Sequence, residues 1–127
     1  MAMNRIWIIV GVGGFLGSVA RYLCATSLTR WVSTAFPLGT FAVNVIGSLV
    51  IGCVFGLSQR HQWLTAEWRL FLATGFCGGF TTFSTFAQEN LQLIQNGDYG
   101  IFALYASASV MLCIAGAALG YFLSTLQ

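Results

Sequence analysis

Four apolar runs, over residues 4–27, 37–58, 69–95 and 100–125, fill almost all of a 127-residue chain and leave only short polar breaks between them. A bilayer core about 30 Å thick takes roughly 20 helical residues to cross, and each run reaches that length. Charged residues make up 6% of the chain and hydrophobic ones 57%, where a soluble domain is about 25% charged. A chain this short buries a low fraction of its surface, so much of that apolar area must face lipid or another subunit. The pattern predicts an all-α integral membrane protein, with four transmembrane helices in a single domain over 1–127. Several of the four Trp and four Tyr fall near run ends, where interfacial anchors belong.

The same composition excludes other classes. The net charge is +2 and all five basic residues are arginines, so there is no basic patch for nucleic acid. Cys24, Cys53, Cys77 and Cys113 lie in or beside apolar runs without Cys-x-x-Cys spacing, and read as small buried hydrophobes. His61, in the polar break SQRHQWLTAEW, reads as a solvated loop residue. No Ser/His/Asp or Cys/His set, Walker loop or dinucleotide fingerprint appears, and the sequence is read as non-enzymatic. Arg5 followed by apolar residues resembles a secretory leader, but the run is too long and holds Arg21, so it reads as a retained span.

The third run contains the unusual stretch, GFCGGFTTFSTFAQE over residues 75–89. Gly75, Gly78 and Gly79 stand near its middle, which predicts a helix broken at mid-membrane at the Gly78-Gly79 pair. Free backbone groups there are tolerated only where they line a cavity or hold an ion. Beyond the break Phe83 and Phe86 share a face; Thr82, Thr85 and Glu89 make a second face and Thr81, Ser84 and Gln88 a third.

Elsewhere, Gly13/Gly17, Gly52/Gly56 and Gly116/Gly120 are small-xxx-small pairs that let helices approach closely. Asn44 is the only amide in the second run, and needs protein, water or a ligand as partner. An interhelical hydrogen bond and a pore contact are both open to it. Arg21 either snorkels to the headgroups or sits against helix ends at a vestibule. Tyr105, Ser109 and Cys113 form one weakly polar line on the fourth run. Arg5, Arg60 and Arg69 fall on one side of the membrane and Arg30, with Arg21, on the other. Three against two fixes no orientation, which leaves open an antiparallel pair of oppositely inserted copies.

A pore or transporter fits these residues best. Ring edges are positive and tolerate an anion, and Thr, Ser, Tyr and Asn supply donors to it. Carbonyls at the helix break point instead to a cation. The competing reading is a proton-coupled small-molecule or cation exporter of four-helix dual-topology type, which wants an acid in the first span; this chain has none there.

The GxxxR of Gly17 to Arg21, the GTFAVNVIG of Gly39 to Gly47 and above all residues 75–89 resemble the small bacterial fluoride channel family (Fluc/CrcB, camphor-resistance type), over essentially the whole chain. The resemblance implies an antiparallel, dual-topology homodimer in the bacterial inner membrane that exports cytoplasmic fluoride passively through two pores. It implies that Asn44, Phe83, Phe86, Tyr105, Ser109, Thr82 and Thr85 line the pore, with Arg21 in the vestibule and Glu89 an acid near the pore. It also implies a structural Na+ at the dimer axis, held by the backbone carbonyls of Gly78 and Thr81 of both subunits. Cys113 stands where some relatives carry a hydroxyl, and a thiol is the weaker donor.

Overall fold

The computed structural model describes residues 3–126, so residues 1, 2 and 127 of the domain expected over 1–127 lie outside the described residues. Its secondary structure there is helical throughout. Helix α1 is Met3–Trp31 and α2 is Leu38–Arg60. A composite third span, Ala66–Gln95, joins α3 (Ala66–Arg69), a π-helical segment (Leu70–Cys77), α4 (Gly78–Phe80) and α5 (Phe83–Gln95). Helix α6, Tyr99–Thr125, completes four stretches long and apolar enough to cross a membrane. The turn into α6 is a Schellman closure: Asp98 N–H donates to Leu93 O at 2.9 Å and Gly97 N–H to Ile94 O at 3.1 Å, with Gly97 at φ +79°.

Small residues set the packing. α1 lies along the π-helical segment and α4, and α2 lies along α6. Each contact is a backbone approach at glycine. A Cβ on Gly13 would stand 2.6 Å from Phe71 O, and one on Gly17 would overlap the Phe76 carbonyl. From the other side, one on Gly75 would meet Gly13 Cα at 3.0 Å, and one on Gly79 the Ser18 N–H at 3.0 Å. The α2–α6 contact repeats the device: Gly52 sits on the Ala117 carbonyl, Gly56 on Tyr121 O, and Gly120 on the Leu49 carbonyl. Gly116 is looser, with Val45 O 3.4 Å from the position of a Cβ.

The break in the third span is therefore not where its glycines are. Gly78 has helical dihedrals, and Gly75 and Gly79 are occupied as packing surface against α1. The chain leaves the helix at Thr81 (φ −86°, ψ 158°) and Thr82 (φ −151°, ψ 122°), two β-branched residues suited to extended backbone. Thr81 N–H and Oγ1–H both donate to Cys77 O, at 2.9 and 2.8 Å, and end α4. Thr82 restarts the helix, its Oγ1 accepting from Thr85 N–H at 3.3 Å as an N-cap.

The backbone groups opened at Thr82 are met from α2. Asn44 Nδ2–H donates to Thr82 O at 3.0 Å, and Thr82 N–H donates to Asn44 Oδ1 at 2.7 Å. One side-chain amide thus serves both backbone groups of Thr82. Gly47, one turn further along α2, makes the room: a Cβ there would overlap the Thr81 methyl group.

Two predictions follow from this packing. Gly17→Ala and Gly120→Ala each overpack a backbone contact at a cost of about 1–3 kcal/mol, while Gly116→Ala is nearly neutral; thermal midpoints in detergent should separate the first two from the third, and equal midpoints for all three would refute the glycine seams. Asn44→Leu strands two backbone groups at about 1–3 kcal/mol each. It should lower the midpoint more than Ser48→Ala one turn away, and an unchanged midpoint would mean that Thr82 finds other partners.

Candidate functional site

A cavity of about 440 Å³ lies against the break, between α2, the third span and α6. Asn44 and Ser48 line it from α2, Cys77, Gly78, Thr81, Thr82, Phe83 and Phe86 from the third span, and Ser109 and Cys113 from α6. None of its lining residues is acidic. What the wall can offer depends on which hydrogens already have acceptors. Ser48 Oγ–H donates to Asn44 O at 2.7 Å and Thr81 Oγ1–H to Cys77 O. Thr82 Oγ1–H donates to Thr85 Oγ1 at 3.1 Å. These groups are engaged.

Three hydroxyl or amide donors around the break remain free, Asn44 and Ser109 in this wall and Thr85 outside it. Asn44 has a second Nδ2–H beyond the one given to Thr82, since an amide carries two. Thr85 Oγ1 accepts from Thr82, and its own hydrogen meets no acceptor among the described residues. Ser109 is 5% exposed, and its Oγ has no hydrogen-bond partner at all there. Asn90 Oδ1 is the other buried polar atom without a partner, but Asn90 does not line this cavity.

Tyr105, grouped by sequence with Ser109, does something different. It is fully buried, and its hydroxyl donates to Glu89 Oε2 at 2.7 Å. Thr40 Oγ1–H donates to Glu89 Oε1, also at 2.7 Å. Both carboxylate oxygens of Glu89 are thereby satisfied by α2 and α6. The Tyr105 ring packs on Phe86 (centroids 5.1 Å) and edge-on to Phe36 (5.3 Å, 75°); Phe36 in turn meets Phe41 at 5.3 Å. Phe83 joins the other end through Phe86 at 5.4 Å, so five rings run in sequence from Phe41 to Phe83. Phe83 itself is 78% exposed and contributes nothing to the core of this chain.

Two clefts open on the α1 side. One of about 190 Å³ is lined by Ser18, Arg21, Thr40, Thr82 and Thr85 among others, and one of about 450 Å³ by Thr26, Thr29, Arg30, Thr40, Thr85 and Glu89. Thr40 and Thr85 line both, and Thr82 lines the smaller cleft and the central cavity. Of the site residues singled out by sequence, all but Tyr105 line one or more of these three openings around the break. Sequence reasoning missed Thr40, Phe36 and Phe41; the apolar positions of a first turn and a loop carried no signal of their ring contacts. It also read all four cysteines as buried, whereas Cys77 is buried, Cys53 and Cys113 are half-buried and Cys24 is exposed.

The expected sodium ion, and with it the metal-binding reading of Gly78 and Thr81, is overturned. No group of three or more His, Cys, Asp or Glu side chains gathers among the described residues, and no charged side chain is buried there. The cation was inferred from backbone groups left open by a helix break. Those at Thr82 are satisfied by Asn44, and Gly78 lies inside helical backbone.

Residues 8–121 match the family model described as CrcB-like protein, Camphor Resistance (CrcB). A protein of Bacteroides fragilis named fluoride-specific ion channel FluC is 48% identical over 119 residues, covering 91% of this chain and 93% of the relative. One of the same name from Chlorobaculum tepidum is 47% identical over 126 residues, 99% of this chain and 95% of the relative. A third, from Phocaeicola vulgatus, is 46% identical over 117 residues, at 92% and 96% coverage. With bacterial relatives and four membrane-length apolar helices, this is a multi-pass protein of the bacterial inner membrane. Match and similarity together run nearly end to end, and the chain belongs to the CrcB-like, camphor-resistance family.

Proposed function

We infer that this protein is a fluoride-selective ion channel that carries cytoplasmic fluoride passively out of the cell, and not an enzyme. The observation that carries the reading is 48% identity, over 91% of the chain, to a protein named fluoride-specific ion channel FluC. The cavity chemistry supports it. Fluoride is a small anion that only accepts hydrogen bonds, and the openings around the break present free donors on Asn44, Thr85 and Ser109. The central cavity has no carboxylate in its wall to repel an anion.

The fuller arrangement proposed is an antiparallel, dual-topology homodimer with two pores, each chain a single transmembrane domain. Phe83, exposed on one chain, supports it: a second subunit packed there turns an aromatic ring facing outward into a pore wall. Ring edges of Phe83 and Phe86 then complement the hydroxyl and amide donors. Near-balance of arginines between the two membrane faces supports insertion in both orientations. Thr82 positions Thr85, and Tyr105 acts through Glu89. Arg21, in the small cleft beside Thr82 and Thr85, supplies positive potential at a vestibule. Selectivity over chloride comes from a narrow path with closely set donors, which a larger, more weakly hydrogen-bonding ion does not repay.

The purified protein in liposomes should pass fluoride and reject chloride, with Phe83→Ile abolishing most of the flux; equal passage of both ions would sink the assignment. Loss of a hydrogen bond to a charged partner costs about 1.5–3 kcal/mol, so Ser109→Ala and Thr85→Val should each slow fluoride efflux about tenfold or more. Ser48→Ala removes a hydroxyl already bonded to Asn44 O and should change efflux little. A large loss at Ser48 with none at Ser109 would show that free donors are not what the ion uses.

A further inference from the structure

We propose that Cys113 makes the central cavity a binding site for soft, thiophilic cations, and that a cation bonded there closes the fluoride path. The bond is independent of the channel reading, whereas the closure rests on it. Ser109 and Cys113 are four residues apart on α6 and share a face, and both line the same 440 Å³ cavity. Cys113 is a free, half-buried thiol and is open to a small ion. The facing wall carries a second free thiol, Cys77, which is 2% exposed. Cys24 and Cys53 do not line the cavity.

A thiol in a lipid-facing wall has nothing to receive its proton and is inert. Ser109 shows that this wall is different. Its hydroxyl is buried, lines the cavity, and has no protein partner among the described residues. Buried hydroxyls in that position are met by water or an ion. A water held by that hydroxyl lies one helical turn from Cys113 and can take up the proton that a metal displaces from the sulfur, the ligand that soft metals prefer. With mercuric ion as probe, an S–Hg bond forms, the S–H bond breaks and the proton passes to water. No electrons are transferred. The bound metal then sits in the cavity that Asn44, Ser109 and Phe86 also line and obstructs the space a permeating anion needs.

The test uses the full chain in proteoliposomes with micromolar mercuric chloride, each variant compared with its own untreated rate. Wild-type efflux should fall about tenfold or more, since conduction requires the path to be vacant, and a competing dithiol should restore it. Cys113→Ser and Cys113→Ala should keep most of their own flux, and peptide mass spectrometry of the wild type should place the mercury adduct on Cys113. Absence of that adduct, or block that survives in both variants, overturns the site; an adduct with undiminished efflux overturns the closure. If the untreated protein carries no fluoride, the channel reading fails instead, and the mass measurement still decides whether the thiol binds.

Discussion

The pairing of one side-chain amide with the N–H and C=O of one residue holds the functional region in place. A transmembrane helix interrupted at mid-length leaves N–H and C=O groups that hydrocarbon cannot satisfy, at several kcal/mol each. Asn44 answers both groups of Thr82 from the neighbouring helix, with donor and acceptor on the correct sides. In a low-dielectric surround such a bond is electrostatically strong, and leaving its partners unpaired is correspondingly costly. Because α2 is locked to α6 by its glycine seam, Asn44 is a fixed point, and the start of α5 is hung on it. Thr85, Phe86 and Glu89 all take their positions from that start.

A second consequence concerns which donors around the break stay free. Polar side chains on membrane helices tend to donate to carbonyls one turn back, and many here do: Thr26, Thr29, Ser107 and Ser124 all bond backbone oxygens three or four residues earlier. Counting hydroxyls in a polar stretch therefore overstates what an ion can use. The donors left free at Ser109, Thr85 and Asn44 are few because each needs a specific reason not to be engaged. For Thr85 that reason is the extended Thr82, whose hydroxyl bonds forward to cap the new helix. For Asn44 it is that the amide has one more hydrogen than Thr82 can take.

Much of the architecture was legible in sequence because hydropathy over about twenty residues is a direct response to bilayer thickness. Four spans, a disturbed third helix and glycine-mediated packing all come from that and from small-residue spacing. The location of the break was not legible. Glycine both loosens a helix and lets helices touch, and Gly75, Gly78 and Gly79 were read for the first property when Gly75 and Gly79 serve the second. The Thr81-Thr82 pair looked like part of a hydroxyl-rich face, and what makes it a break is Asn44, 38 residues away in sequence. Long-range partners leave no periodic trace. The same holds for Thr40 and Tyr105, which share the Glu89 carboxylate. The sodium ion was inferred from the idea that backbone groups opened by a break imply an ion, and at Thr82 the partner is instead a side-chain amide.

The line Tyr105, Ser109, Cys113 shows how far identical spacing can diverge in chemistry. At i, i+4 and i+8 these residues share one helix face, and from sequence they read as three grades of one polar track. In the fold their neighbours separate them. Tyr105 faces α5 where Glu89 approaches, so its proton has an acceptor and its ring joins an aromatic row. Ser109 comes one turn later, where the third span has bent away at Thr81 and left a cavity in place of a helix, so its hydroxyl has none. Cys113 is a further turn along the same cavity, facing the π-helical segment and its Cys77. The bend in one helix thus grades the donors of another, from engaged phenol to free hydroxyl to soft thiol. Any path that follows this face of α6 begins at a carboxylate-bound tyrosine and reaches its free donor only beside the break that Asn44 holds open.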